Sequence, residues 1–250
     1  MAVRPSHLEQ KVALVVGGAS ETGPHLCETL ARFGAHVALT YLNKKREAEL
    51  VAERCRGLGV HCEAYEFNLL NTTGAASLVA GIVASFGGLD LLVNLGGPAP
   101  IFTDFREISE GEYDLMMDAH VKGYFFLARE AARHMEKAGG GVIVNISATS
   151  SVKYSHGAYG LAKACVNEMT RFLAYSLAPL VRVFTIIPGL IDLEETDPAL
   201  RRERAAKSPL GRIVTPRELG ELIEAMSSPA FQTVTGESIV VDGGFWLLHP

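Results

Sequence analysis

Short apolar runs rich in β-branched residues alternate with longer amphipathic stretches along the whole 250-residue chain. Strands that are apolar throughout are typical of a parallel sheet covered on both faces, because a strand with one solvated face alternates apolar and polar residues. Strands are predicted at 12–16, 36–41, 61–67, 89–94, 141–147, 181–187 and 238–241. Helices are predicted at 24–33, 44–58, 72–86, 110–138, 158–177 and 216–226. This order predicts a doubly wound α/β domain with a seven-stranded, mostly parallel sheet and helices on both faces.

Residues 1–250 contain no stretch rich enough in Gly, Ser or Pro to separate two domains, so one domain is predicted. One connection, 188–214, is unusually long, polar and charged. A loop of this length in a compact domain is usually a functional lid or a disordered segment, and a short surface helix is the alternative. Because ligands bind at the carboxyl ends of strands, where this segment begins, we expect a substrate lid.

Composition and charge exclude several classes of function. The net charge of −5 provides no basic surface for nucleic acid or an acidic membrane. The first ten residues are too polar for a signal peptide, and no apolar run is long enough to span a bilayer. The four cysteines form no CxxC pair, and the histidines show no ligand spacing, so we expect reduced thiols, no metal and a cytoplasmic location.

The first predicted strand runs directly into a glycine-rich turn, 17–24, which a helix follows. Glycines let the backbone approach a diphosphate closely, and the helix N-terminus offers N–H groups and a partial positive charge. An ordinary turn between strand and helix also uses glycine, but the position after the first strand favours a dinucleotide site. We expect cofactor contacts at Gly18, Ser20, Thr22 and Gly23.

The second predicted strand ends at Tyr41 without the acidic residue that accepts the ribose hydroxyls of NAD. Three cations follow at positions 44–46 and would suit the 2′-phosphate of NADP, although they could equally be a solvated helix start. Glu21 in the glycine turn favours the opposite choice, because a carboxylate there would repel that phosphate. We expect a cofactor contact at Tyr41 and NADP(H) rather than NAD(H).

Tyr159 and Lys163 stand four residues apart at the start of a predicted helix that follows the fifth strand. This spacing places both side chains on one face of the helix. The lysine charge favours the phenolate and is expected to lower the tyrosine pKa. Such a tyrosine can donate a proton to a carbonyl that receives hydride from a nicotinamide. A YxxxK string alone is common, but its place downstream of a nucleotide-binding turn is specific.

Together these motifs are similar, from end to end, to the short-chain dehydrogenase/reductase family. The matching pieces are the GGASETG turn, Asn68, Asn94-Leu95-Gly96-Gly97, YGLAK, Pro188-Gly189-Leu190-Ile191 and Val241-Asp242-Gly243-Gly244. The resemblance implies a Rossmann fold, a small-molecule substrate and a homodimer or homotetramer. Within the family, several segments look most like bacterial pteridine reductases.

The resemblance also assigns roles to residues of this chain. Asn68 and Leu69 would hold the adenine, and Asn94 and Gly96 would border the cofactor. Lys163 would bind the nicotinamide ribose, and Tyr159 would be the general acid. Gly189 and Ile191 would contact the carboxamide end.

Two departures from the family pattern affect the cofactor side of the site. Gly23 is one step out of register and Pro24 takes the place of a glycine, which alters the diphosphate cradle. The asparagine that carries the water of the family's proton relay falls on His120. His120 could replace it, since imidazole donates, accepts and titrates near neutrality, or it could be a helix histidine satisfied by a backbone carbonyl.

A third departure concerns the serine that polarises the substrate carbonyl, which falls on Ala148. Ser147, Thr149 or Ser150 could supply the hydroxyl, and Ser147 is the nearest. The sequence therefore predicts an NAD(P)-dependent reductase of a carbonyl or imine with catalytic Tyr159, Lys163, Ser147 and His120. The alternatives are a binding or scaffold protein without redox activity and a non-redox acid–base enzyme in the same pocket.

Overall fold

The computed structural model describes residues 6–101, 104–153 and 155–248; the remaining positions of the predicted domain, 1–5, 102–103, 154 and 249–250, lie outside the described residues. Seven strands form one sheet in the order β3-β2-β1-β4-β5-β6-β7, and every neighbouring pair in the described part is parallel. The strands are β1 (Val12–Val16), β2 (His36–Tyr41), β3 (Cys62–Glu66), β4 (Leu91–Asn94), β5 (Gly141–Ile146), β6 (Val181–Pro188) and β7 (Ser238–Val241). The predicted doubly wound α/β domain is confirmed.

Helices cover both faces of the sheet. They are α1 (Gly23–Arg32), α2 (Lys45–Arg56), α3 (Ala75–Phe86), α4 (Glu110–Met117), α5 (Tyr124–Lys137), α6 (Ser150–Lys153), α7 (Gly157–Leu177), α8 (Pro198–Lys207), α9 (Pro216–Ser227) and α10 (Phe245–Leu248). Helices α1, α2 and α9 bury their apolar residues against one face, and α3, α5 and α7 against the other. None of the helices in the described residues has the length and hydrophobicity that spanning a bilayer requires.

The helix predicted over 110–138 is not continuous. Ser109 accepts a hydrogen bond from the Glu112 N–H and begins α4, but a π-helical turn over Asp118–Gly123 separates α4 from α5. A π-helical turn inserts one residue per turn and rotates the side chains that follow, and such turns are frequent at functional sites. Here the turn contains His120 and turns it into the interior, where the ring is buried.

The segment 188–214 is not a loop throughout, because α8 lies within it. Asp197 accepts a hydrogen bond from the Ala199 N–H at the start of α8, with Pro198 as the first helical residue. At the two ends of the segment, Ile191 and Val214 pair in an isolated parallel bridge. The segment is therefore a helix tethered at both ends to the carboxyl edge of the sheet; its role as a lid stays a prediction.

Strand order reverses around β1, which pairs with β2 on one side and β4 on the other. The connections from these strands leave in opposite directions and open a crevice at their carboxyl ends, where ligands bind in doubly wound sheets. The glycine turn after β1, the segment after β4 and the start of α7 after β5 all lie at this edge.

Candidate active site

The glycine turn after β1 packs directly against the segment after β4. Gly17 has a φ of +79°, and a β-carbon there would overlap the Cα of Gly96. A β-carbon on Gly23 would overlap the carbonyl oxygen of Gly17. The Ser20 hydroxyl donates to that same carbonyl oxygen at 2.6 Å, and Thr40 Oγ1 accepts the Gly17 N–H at 3.0 Å. Only glycine fits at Gly17, Gly23 and Gly96, so the backbone stays bare where a diphosphate would approach.

With Pro24 in its first turn, the start of α1 is still suited to an anion. Pro24 is the second residue of the helix, where the N–H that it lacks would have no acceptor within the helix. The first turn of α1 contains no acidic residue, and Glu21 just before it is exposed. Thr22 is buried at the N-cap. The altered turn therefore keeps the partial positive charge that holds phosphate groups.

A first cavity of about 300 Å³ lies beside this turn, between the carboxyl ends of β1, β2 and β4. It brings together five of the predicted cofactor contacts, which are Ser20, Tyr41, Asn68, Leu69 and Gly96. Among the described residues that line this cavity, one is charged, and it is Lys44. A narrow apolar slot with a few polar groups, ending at a bare backbone turn, fits the adenosine half of a nicotinamide dinucleotide.

Asn94, another predicted contact, directs its side chain into the protein interior. Its Nδ2 donates to Asn145 Oδ1 at 2.9 Å, and Asn145 in turn donates to the Thr170 hydroxyl at 2.9 Å. Thr170 also shares a 2.6 Å hydrogen bond with Thr185. All four side chains are fully buried. Asn94 therefore ties β4 to β5 and α7, and the backbone that follows it, at Gly96, is what borders the first cavity.

Tyr159 and Lys163 lie on α7 as the spacing predicts, with Lys163 only 2% exposed. The Lys163 ammonium group donates to the Ile146 carbonyl oxygen at 2.9 Å and lies 5.6 Å from the centre of the Tyr159 ring. Burial lowers the pKa of Lys163 to about 7 and raises the pKa of Tyr159 to about 12. The expected lowering of the tyrosine pKa is therefore wrong for this arrangement, because burial raises the pKa of Tyr159. At neutral pH Tyr159 is a neutral phenol with a proton to donate.

The chain that leads into α7 is tightly packed. His156 and Gly157 both have positive φ angles, of 64° and 55°, and their left-handed turn starts the helix. A β-carbon on Gly160 would overlap the Ser155 carbonyl oxygen, so this glycine lets the incoming chain lie flat against α7. A left-handed non-glycine residue costs about 1 kcal/mol or more, and such strain is concentrated at functional sites. This turn therefore fixes the position of Tyr159 at the start of α7.

His120 packs edge-on against Tyr159, with ring centres 5.3 Å apart and an interplanar angle of 83°. Its Nε2 donates to the Pro98 carbonyl oxygen at 3.2 Å, and its buried Nδ1 has no partner among the described residues. Burial, and then the charge of Lys163, hold the pKa of His120 well below its usual range. The hydrogen bond to Pro98 matches the interpretation that a backbone carbonyl satisfies the ring, while the role of His120 in a proton relay stays a prediction.

A second cavity, of about 430 Å³, lies on the other side of the segment after β4. Tyr159 and Gly189 line it, together with Ala148, Thr149 and Ser150. The remaining lining residues are Pro100, Lys153, Ser155, His156, Pro188, Leu190, Leu200, Arg204, Ser208, Ile213, Asp242 and Phe245. The two cavities meet the same β4 segment, at Gly96, Gly97 and Pro98 on one side and Pro100 on the other.

Of the three candidate hydroxyl residues, Thr149 and Ser150 line the second cavity and Ser147 does not. The Ser147 hydroxyl is buried, donates to the Lys163 carbonyl oxygen at 3.1 Å and does not line the second cavity. Ser150 lines that cavity, is 3% exposed, and its Oγ has no hydrogen-bond partner among the described residues. A buried hydroxyl without a partner is costly unless a ligand satisfies it. This placement does not favour Ser147, the sequence-based choice, and favours Ser150.

The remaining predicted contacts line neither cavity. Gly18 packs against Leu39, where a β-carbon would come within 2.6 Å, and Ile191 pairs with Val214 at the base of the 188–214 segment. Sequence reasoning also missed three side chains that line the second cavity, which are Lys153, Arg204 and Phe245. No short-range motif marks them, because they come from α6, α8 and α10 and meet only in the folded chain.

The chain is similar to known oxidoreductases along nearly its whole length. Residues 17–246 match a family model described as enoyl-(acyl carrier protein) reductase. The chain is 32% identical to an uncharacterized oxidoreductase of Methylorubrum extorquens, over 96% of this chain and 99% of the relative. It is 31% identical to cis-4-hydroxycyclohexanecarboxylate dehydrogenase of Sinomonas cyclohexanicum, over 94% and 96% of the two chains. The solved structure of a short-chain dehydrogenase/reductase from Serratia marcescens superposes with a TM-score of 0.87, at 29% identity, over 95% and 98% of the chains.

The chain therefore belongs to the short-chain dehydrogenase/reductase family. As a member of that family it is an NAD(P)-dependent oxidoreductase.

Proposed function

We propose that this protein reduces a carbonyl or imine group of a small molecule with NADP(H), and that Tyr159 donates the proton. The observation that carries the proposal is the neutral phenol of Tyr159 at the wall of the second cavity, with buried Lys163 behind it. A tyrosine whose pKa is raised to about 12 holds its proton until a base as strong as a developing alkoxide forms beside it. This favours reduction as the direction of the reaction.

The residues present fit the cofactor, and each has a defined task. The bare turn at Gly17 and Gly96 and the N-terminus of α1 would hold the diphosphate, and Asn68 and Tyr41 would border the adenosine. When bound along the crevice, the nicotinamide supplies the two electrons of the reduction as hydride.

The chain's own residues then manage the substrate oxygen or nitrogen and its proton. Ser150 donates a hydrogen bond to it, and Tyr159 transfers its phenolic proton to it. The ammonium form of Lys163 stabilises the phenolate that results. His120 fixes the tyrosine ring from its edge.

Replacement of Tyr159 tests the proton donor. Tyr159→Phe removes only the hydroxyl, so turnover is expected to fall about 100-fold or more, while the NADPH Kd stays within about twofold. Tyr113→Phe is the control, because this tyrosine is 43% exposed and lines neither cavity. Turnover of Tyr159→Phe close to that of the control would exclude the assigned role.

The preference for NADP(H) is supported by Lys44, the charged residue that lines the first cavity. Lys44→Gln is expected to weaken NADPH binding about tenfold, or about 1.4 kcal/mol, and to leave NADH binding unchanged. Lys45→Gln is the control, since Lys45 is exposed and does not line the cavity. Fluorescence titration measures both constants, and tighter binding of NADH by the parent protein would reverse the preference.

The substrate panel follows from the resemblances. Pterins belong in it because several segments resemble pteridine reductases, and 4-oxocyclohexanecarboxylate belongs in it because one relative is a cis-4-hydroxycyclohexanecarboxylate dehydrogenase.

We further propose that α8 within 188–214 acts as a lid, since Leu200 and Arg204 line the second cavity. Free cysteines in the described residues support a cytoplasmic location, and exposed Phe172 and Tyr175 on α7 support a homodimer or homotetramer. Light scattering after size exclusion measures the oligomeric state.

A further inference from the structure

We propose that the substrate carries a carboxylate group and that Lys153 and Arg204 bind it inside the second cavity. The inference rests on the proposed function, because it names the substrate class of the same site. The carbonyl would lie at Tyr159 and Ser150, and the carboxylate at the two cations.

The two cations come from different segments and converge on one aromatic ring. The Lys153 ammonium group lies 4.3 Å from the centre of the Phe245 ring, and the Arg204 guanidinium carbon lies 4.8 Å from it. The charge of Arg204 acts on Lys153, and the contacts with the ring offset only part of the repulsion between the two cations. An anion between the two cations would offset the rest.

Neither cation forms an ion pair within 4.0 Å in the part of the chain that the structure describes, although the charge of Asp242 acts on Lys153 from a greater distance. Two of the four basic residues of α8 form ion pairs, Arg201 with Asp192 and Lys207 with Glu203, both at 2.6 Å. Arg204 on the same helix has no described carboxylate oxygen within 4.0 Å. Arg202 also has no described carboxylate oxygen within 4.0 Å but is exposed, so Arg204 is the unpaired cation of α8 that lines the cavity.

The charge of the cavity wall suits a monoanion. Asp242 is the acidic side chain among the described lining residues, and both its carboxylate oxygens accept backbone N–H groups, at 2.8 and 2.7 Å. Burial lowers the pKa of His156, which is therefore neutral at pH 7. Two cations and one carboxylate leave one net positive charge. A carboxylate balances it, whereas a phosphate dianion would exceed it.

Other residues of the cavity wall are apolar. Ala148, Pro188 and Leu190 add apolar surface to the same cavity, and Ser150, whose hydroxyl has no partner among the described residues, is 3% exposed. This pattern fits a small oxo acid with an apolar body. In its reduction the carbonyl carbon gains hydride from the cofactor, the oxygen gains a proton from Tyr159, and the carboxylate is unchanged.

A binding experiment tests the anion site without requiring turnover. Trp246 is the single tryptophan of the chain, and its ring lies 5.5 Å from the Lys153 ammonium group, so its fluorescence reports on the site. Benzoate is expected to bind saturably, and benzamide, which has the same shape without the charge, about tenfold or more weakly. Lys153→Met and Arg204→Met should each weaken benzoate about tenfold, whereas Lys153→Arg and the α8 control Lys207→Met should not.

Several results would overturn the inference. Equal affinities for benzoate and benzamide, or unchanged benzoate binding by Lys153→Met with a parental melting temperature, would exclude a cationic subsite. Tighter binding of inorganic phosphate than of benzoate would exclude a carboxylate as the recognised group.

A turnover experiment separates this inference from the proposed function. With 4-acetylbenzoate and 4-acetylbenzamide as probes, kcat/KM for the acid should exceed that for the amide about tenfold, and Lys153→Met should abolish this difference by lowering kcat/KM for the acid. If benzoate binds as expected but no carbonyl compound is reduced, the anion site stands and the reductase assignment fails. Equal kcat/KM values for acid and amide in the parent protein would exclude the anion site alone.

Discussion

The buried ammonium group of Lys163 makes the stability of this protein depend on pH. In the folded chain burial lowers the pKa of Lys163 to about 7, whereas the unfolded chain has the ordinary value of 10.5. Between these values the unfolded state binds more protons than the folded state. The free energy of unfolding therefore rises as the pH rises through this window. Lys163→Met keeps the length of the side chain and removes the titrating group, so it should remove this dependence.

The expected size follows from linkage. A single lysine with these two pKa values contributes at most about 1.4 kcal/mol per pH unit. From pH 6 to pH 9, the parent protein should gain about 2.6 kcal/mol of unfolding free energy relative to Lys163→Met. Well below pH 6 the difference is constant, because both states are protonated. Burial raises the pKa of Tyr159 and of Cys27, which destabilises the folded state at high pH, and the comparison with Lys163→Met subtracts those contributions.

Urea unfolding followed by far-UV circular dichroism measures the effect, on protein without cofactor and at one protein concentration. Lys207→Met is the control, because Lys207 is half-exposed and paired with Glu203, and its curve should run parallel to that of the parent. Parallel curves for the parent and Lys163→Met between pH 6 and 9 would refute the reasoning. Lys163→Met should also lose activity, since a neutral side chain cannot stabilise the phenolate of Tyr159.

Two further substitutions test the site. Ser150→Ala should lower kcat about tenfold or more without changing the NADPH Kd, whereas Ser147→Ala should keep most of the activity; the opposite ranking would return the polarising role to Ser147. Gly96→Ala places a β-carbon 2.8 Å from the Gly17 Cα and should weaken NADPH binding at least about tenfold, whereas Gly81→Ala, with open space around it, should bind as the parent does. Equal NADPH affinities in fluorescence titration for the two glycine variants would show that the close contact of the turn is not needed.

Local patterns of the sequence predicted the architecture well. The run 12–16 is apolar on both faces, and a strand buried between two helical layers needs that pattern. The glycine turn and the spacing of Tyr159 and Lys163 were likewise readable, because steric demands at a tight turn and the helical repeat act over a few residues. Strand ends were less accurate, as at 61–67, where the strand is Cys62–Glu66.

The chemistry of the site depended on the tertiary structure. The spacing of Tyr159 and Lys163 placed them together but did not reveal that burial raises one pKa and lowers the other. Sequence proximity favoured Ser147, and only the folded chain shows its hydroxyl satisfied by the Lys163 carbonyl while Ser150 lines the cavity. The π-helical turn that buries His120 also leaves no mark in the hydrophobic pattern.

The sequence by itself determined the sheet, the covering helices and the family, because these follow from side-chain periodicity and turn chemistry within short segments. The tertiary structure decided the protonation of Tyr159, the choice of hydroxyl and the pairing of Lys153 with Arg204 over Phe245. The physical reason is that desolvation and charge interactions depend on distances between residues far apart in the chain, and folding alone sets those distances.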